Sequence, residues 1–143
     1  MKNSILIFCI WNILFFSNCQ SPDQVNDSDF VPNVIVNQQI NLNDIRYSSL
    51  KVDKGWVYIA GGVKGIIVYR EAASNYKAFE RNCSYKPSST CSKVKVDASN
   101  FYMTDSCCSS FFDFTGNPTS GPAFRPLKQY LVTQDNFLLN INN

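Results

Sequence analysis

Residues 56–70 read Trp56-Val57-Tyr58-Ile59-Ala60-Gly61-Gly62-Val63-Lys64-Gly65-Ile66-Ile67-Val68-Tyr69-Arg70. β-Branched and aromatic side chains fill both ends of this stretch, and such residues suit a pleated, half-buried surface. Two adjacent glycines interrupt it. Glycine takes positive φ without steric penalty, so the stretch predicts two strands joined as a hairpin or by a bulged bend. No apolar 3.6-residue period is sustained over three turns here or elsewhere in the chain. Strands, not helices, are therefore expected to build the core.

The same pattern extends outward from Phe30. Upstream, Val34, Val36, Ile40 and Leu42 come close to alternation, and Tyr47 and Leu50 close that segment. Downstream, Tyr76 to Arg81 alternates, with its aromatics expected on one face. Lys93 to Val96 and Asn100 to Met103 read as short strands around an Asp97-Ala98-Ser99 turn. Phe111 to Phe114 and a Gly116-Asn117-Pro118 turn follow. Leu127 to Val132 and Phe137 to Ile141 make a closing pair around Thr133 to Asn136. Many short strands at this spacing predict an all-β fold, a small antiparallel sandwich or partly open barrel. Phe101, Tyr102, Phe111, Phe112 and Phe114 are expected mainly in its core.

The N-terminus carries a different signal. Lys2 precedes an apolar run from Ile5 to Phe16, which ends at Ser17-Asn18-Cys19. The run is too short for a bilayer-spanning helix, which needs roughly 20 residues, and it suits a signal peptide. The residues before Cys19 resemble a bacterial lipobox, with Asn18 in place of the usual small residue. The expected organisation is a lipoprotein signal peptide at 1–18, a polar tether at 19–29 and one domain at 30–143. Cys19 would carry the acyl (palmitate-type) chains, and two or more chains give a stable anchor. The expected location is the bacterial cell envelope, on the inner or outer membrane, with the domain outside the cytoplasm.

Charge excludes one class of partner. Loss of residues 1–18 removes Lys2, so thirteen Lys and Arg fall to twelve against eleven Asp and Glu, a net charge of +1. No basic tract exists, so nucleic-acid binding has no electrostatic support. The membrane and an unidentified protein are the expected partners. Enzyme signatures are also missing. The chain has no histidine, which removes Ser-His-Asp, Cys-His and histidine-based metal sites. Gly61 to Gly65 joins two strands and lacks the spacing of a phosphate-binding loop. Cys107-Cys108 is not the Cys-x-x-Cys of a disulfide oxidoreductase.

Two loops hold the remaining chemistry. The first is Arg81-Asn82-Cys83-Ser84-Tyr85. The second is Asp105-Ser106-Cys107-Cys108-Ser109-Ser110-Phe111-Phe112-Asp113. With Cys9 in the signal and Cys19 acylated, Cys83, Cys91, Cys107 and Cys108 remain. An even number in an exported domain favours disulfides, and four cysteines allow three pairings.

From Ala60 to Ile141 the chain resembles the Rieske [2Fe–2S] domain family, and within it Rieske-like lipoproteins of Bacteroidetes-type bacteria. The likeness rests on Gly61-Gly62-x-x-Gly65-Ile66-Ile67, on the two loops, and on Gly121-Pro122-Ala123-x-x-Pro126-Leu127-x-x-Tyr130. It implies a Rieske-like sandwich whose two loops flank a cluster site, with Gly121-Pro122-Ala123 as a rigid cover. A Rieske centre holds one iron with two cysteines and the other with two histidines. The positions matching those ligands are Cys83, Tyr85, Asp105 and Cys108, so one of the four is retained. Tyr85 offers a neutral, weakly ligating phenol at pH 7, and Asp105 a hard oxygen where soft sulfur belongs. No cofactor is the first expectation. A 2Fe-2S cluster, or zinc on Cys83, Cys108 and Asp105, is the alternative.

The resemblance further implies a Cys91–Cys107 disulfide between the loops, and a Cys83–Cys108 disulfide across the former cluster cavity. Tyr85 is expected to fill the space of the missing histidine and iron, with its hydroxyl paired to Asp105. The expected function is a non-catalytic interaction or structural module on an envelope lipoprotein. The alternative is a Rieske-type electron-transfer protein.

Overall fold

The structure is a computed structural model and describes residues 30–143. The expected signal peptide, the tether and Cys19 lie outside the described residues. Ten strands form: β1 Asn37–Asn41, β2 Trp56–Ile59, β3 Ile66–Ala72, β4 Asn75–Glu80, β5 Lys95–Val96, β6 Met103–Asp105, β7 Ser110–Phe112, β8 Pro118–Ser120, β9 Gln129–Asp135 and β10 Leu138–Asn142. They make a six-stranded sheet in the order β1-β10-β9-β4-β3-β2 and a four-stranded sheet in the order β5-β6-β7-β8. Every neighbouring pair is antiparallel. The fold is all-β, as the alternation predicts. Among the described residues no helix is long and apolar enough to cross a membrane.

The opening stretch shows why this sequence folds so. Trp56 pairs with Tyr69 and Ile59 with Ile66, so residues 56–70 form the expected hairpin. Successive side chains of a strand point to opposite faces. Ile66 and Val68 therefore enter one core, with Val36, Ile40, Leu50, Ala78, Leu139 and Ile141. Ile67 enters a second core, with Phe79, Cys83, Val94, Met103, Phe112 and Leu127. A strand apolar on both faces reads as a continuous run, which is what Ile66 to Tyr69 shows. β4 is shared in the same way. Tyr76 packs against the first core and Phe79 lies in the second. The expectation that these aromatics share a face is thus corrected, because an odd separation of three puts them on opposite sides.

Two local readings change. Tyr47 and Leu50 lie in a 3₁₀ segment, Ile45–Lys51, which starts where the Asp44 side chain accepts from Arg46 N–H and which buries Leu50. Of the five aromatics near the second loop, Phe112 alone is fully buried, while Phe101 is 83% exposed. Asn100 has φ of +61°, so the chain turns there and the strand begins only at Met103. Phe114 leaves the strand but stacks on Tyr69, with centroids 4.2 Å apart.

Candidate functional site

The two cysteine loops meet at one end of the second core. The first loop leaves β4, and its base is held by Arg81. Arg81 N–H donates to Gly65 O (2.9 Å), Val94 N–H donates to Arg81 O (2.7 Å), and Arg81 Nε–H donates to Val94 O (2.9 Å). The guanidinium also lies over the Tyr58 ring, 3.8 Å from its centroid. The second loop is the tip of the β6–β7 hairpin, where Asp105 pairs with Ser110. Its tight turn needs Ser109 at φ +57°. The Asp105 Oδ1 atom accepts from Cys107 N–H at 2.8 Å, which fixes the turn from within.

The Gly121-Pro122-Ala123 segment joins both loops. An added Cβ at Gly121 (φ +88°) would stand 2.4 Å from Ser109 O, so only glycine allows this approach. Ala123 N–H donates to Ser110 Oγ at 3.1 Å, and Ser84 Oγ–H donates to Arg125 O at 2.6 Å. Pro122 lines an open cleft with Tyr85, Lys86, Ser89, Ser92 and Cys108.

Cys91 and Cys107 form a disulfide, sixteen residues apart in sequence. The expected Cys83–Cys108 disulfide is not formed. Both are free thiols, with Sγ atoms 3.8 Å apart. Cys83 sits in the core beside Val94 and Met103, while Cys108 rides on the hairpin tip, so the loops bring the sulfurs into contact without a bond. The Sγ atoms of Cys83 and Cys108 and a carboxylate oxygen of Asp105 all lie within 4.8 Å of one another. Cys83 and Asp105 have no exposed surface. Tyr85 N–H donates to Cys83 Sγ at 3.5 Å, and Cys108 Sγ lies 3.1 Å from Ser110 Oγ. Burial pushes the Cys83 thiol well above its ordinary range. The Cys108 sulfur and the Asp105 carboxyl add to that shift, and the Tyr85 N–H opposes it.

The expected Tyr85–Asp105 hydrogen bond is also absent. Asp105 Oδ2 is buried with no partner, and the Tyr85 ring turns to the cleft beside Lys86 Nζ, 5.4 Å from its centroid. Of the four positions matched to Rieske ligands, three converge and Tyr85 does not join them. A [2Fe–2S] cluster takes four protein donors, two on each iron. Three donors around one point, in a chain without histidine, do not fit it.

The pattern of residues did not reveal Glu80 or Lys64. Glu80 is fully buried at the end of β4 and accepts four hydrogen bonds. Val63 N–H (2.7 Å) and Tyr130 Oη–H (2.7 Å) donate to Oε2, and Lys64 N–H (2.9 Å) and Asn82 N–H (2.8 Å) donate to Oε1. Gly62, at φ +61°, passes so close that a Cβ would stand 2.1 Å from Oε2. The signal was a carboxylate at the inward phase of an apolar strand, two residues after Ala78. Lys64, fixed by this turn, sends its ammonium to the Ser89 and Ser92 carbonyls of the first loop. Its burial lowers its pKa, and the charges of Asp105 and Cys83 partly offset that. The chain matches no family model and no curated protein sequence.

Proposed function

We propose that the chain is an envelope lipoprotein whose domain keeps a Rieske-like scaffold but carries no iron–sulfur cluster, and that it works as a non-catalytic interaction or structural module. One observation carries this reading: the meeting point of the loops offers two thiols and one carboxyl, with no histidine in the chain. A two-iron centre has no second pair of ligands there, and the histidines that set a Rieske potential have no counterpart. The Cys91–Cys107 disulfide supports an oxidising location, since such bonds persist outside the cytoplasm. The apolar run ending at Cys19 supports a lipid anchor. The test is direct. Purified full chain is colourless, with sub-stoichiometric iron and no acid-labile sulfide. Brown protein with stoichiometric iron and sulfide would replace this reading with electron transfer. Cys19→Ser blocks lipid labelling and releases the protein from the membrane fraction, and unchanged labelling would remove the anchor from the proposal.

A further inference from the structure

The geometry points to a mononuclear zinc site made by Cys83, Asp105 and Cys108, with a water as fourth ligand on the side of the open cleft. The inference rests on the reading above that these loops hold no iron–sulfur cluster. Its first support is a distance. Tetrahedral zinc binds thiolates at about 2.3 Å, which sets two sulfurs on one zinc about 3.8 Å apart. Cys83 Sγ and Cys108 Sγ stand 3.8 Å apart. A disulfide needs about 2.05 Å, so the two sulfurs touch as thiols without a bond, at a spacing that one shared ion would also require.

The second support is a buried carboxyl oxygen. Asp105 is wholly buried, and its Oδ2 has no hydrogen-bond partner. Buried polar atoms are nearly always satisfied, so an orphan oxygen beside two thiols calls for a partner. Oδ1 is pinned by Cys107 N–H, and Cys107 is tied to the first loop through Cys91. The carboxylate is therefore held with one of its oxygens within 4.8 Å of both sulfurs.

The surroundings fit a bound dication. Binding sends both thiol protons to solvent and leaves two thiolates, one carboxylate and Zn²⁺, a net charge of −1. Lys64 Nζ, held on the Ser89 and Ser92 carbonyls, is near enough to Asp105 and Cys83 to interact with them electrostatically and would offset part of that charge. Tyr85 N–H already faces Cys83 Sγ. Ser110 Oγ accepts from Ala123 N–H, which leaves the hydroxyl proton free to turn to a Cys108 thiolate. Such outer hydrogen bonds orient and tune metal ligands. Two soft sulfurs and one oxygen favour zinc over calcium and magnesium, which demand six or more oxygens. Three protein ligands with one open position is the layout that keeps an exchangeable water. Cys108 lines the cleft where that water would sit.

Titrating the full chain with Zn²⁺ alone, and with Co²⁺ as the spectroscopic probe, tests the site. One zinc binds per chain and protects two thiols from alkylation. Cobalt gives thiolate charge-transfer bands and the strong visible bands of tetrahedral geometry. Cys108→Ser, at a half-exposed position, removes part of the charge-transfer intensity. Asp105→Asn keeps those bands but lowers affinity by more than the roughly tenfold to hundredfold that losing an outer partner costs. A Cys83–Cys108 disulfide in fresh protein overturns the inference. So do thiols that alkylate equally fast with and without zinc, or cobalt bound without sulfur bands. Colourless protein with no zinc affinity sinks this inference alone. Stoichiometric iron with labile sulfide sinks it together with the reading it rests on.

Discussion

Glu80 and Asp105 are both wholly buried carboxyls, each the last residue of a strand, and each stands where a strand gives way to a cysteine loop. Their surroundings differ. Glu80 accepts four hydrogen bonds, two on each oxygen, from three backbone amides and one tyrosine. Asp105 accepts one, from Cys107 N–H, and its second oxygen has none. A fully satisfied buried acid rigidifies what surrounds it, whereas a half-satisfied one is a cost until something binds. Glu80 therefore holds the Gly61–Gly65 turn and, through Lys64, the first loop. Asp105 is an acceptor in reserve.

Removing each acid separates these roles. Glu80→Ala leaves four donors without their acceptor, and each orphaned buried group costs about 1–3 kcal/mol. Water reaches the half-buried turn and relieves part of this, so the expected loss is about 4 kcal/mol by denaturant unfolding. An effect below about 1 kcal/mol would erase the distinction between the two acids.

The disulfide gives the next effect in size. It closes a sixteen-residue separation between the loops, which is worth about 3 kcal/mol in the chain-entropy model. Reduction, or replacement of Cys91 and Cys107 together by serine, should lower the melting temperature to match. It should also loosen the Asp105 side far more than the Glu80 side. Hydrogen exchange reads that contrast directly. Equal loss of protection at Val63 and at Cys107 would mean that the two regions form one cooperative unit.

How far the sequence reveals these regions depends on the range of the forces involved. The strands of residues 56–70 are legible because side-chain period and glycine turns are local. The 3₁₀ segment Ile45–Lys51 is not, since a single capping Asp44 and one buried leucine make it. Glu80 is hidden because a carboxylate in a strand normally faces water, and its four donors come from 2 to 50 residues away. The Cys91–Cys107 bond agrees with the pairing expected from a resemblance, whereas composition alone leaves three pairings of four cysteines open. That resemblance misleads at Cys83 and Cys108. It places them across one cavity, yet whether two thiols bond there or only touch is decided by a difference of under 2 Å in the separation of their sulfurs.

Tyr130→Phe probes the satisfied acid more gently. It removes one hydrogen bond to Glu80 and leaves Val63 N–H on the same oxygen, for a loss of about 2 kcal/mol. It also carries a pH signature. Burial first, then the hydrogen bond to Glu80 and its charge, raise the Tyr130 hydroxyl above its ordinary range. With the folded value above the unfolded one, the stabilisation is whole below the unfolded value of about pH 10 and is lost as pH rises through the folded value. Unfolding free energy measured against pH should fall more steeply for the parent chain than for Tyr130→Phe in that alkaline window. Parallel slopes would place the titration elsewhere.

Asp105→Asn should have the smallest effect in metal-free protein, and its sign should depend on zinc. The asparagine carbonyl keeps the acceptor that Cys107 N–H uses. The amide replaces an oxygen that has no donor, and can itself donate to the sulfurs beside it. Without metal the variant should therefore lie within about 1 kcal/mol of the parent, and on the stable side. With zinc the order should reverse. A ligand bound only to the folded state adds about 2.7 kcal/mol at one hundred times its dissociation constant, and the parent gains this while the variant gains little. Unfolding curves of both proteins, with a chelator and with zinc, give four numbers. Their crossing identifies Asp105 as a ligand held in waiting. A loss near that of Glu80→Ala in the chelated protein would make Asp105 a structural acid like Glu80.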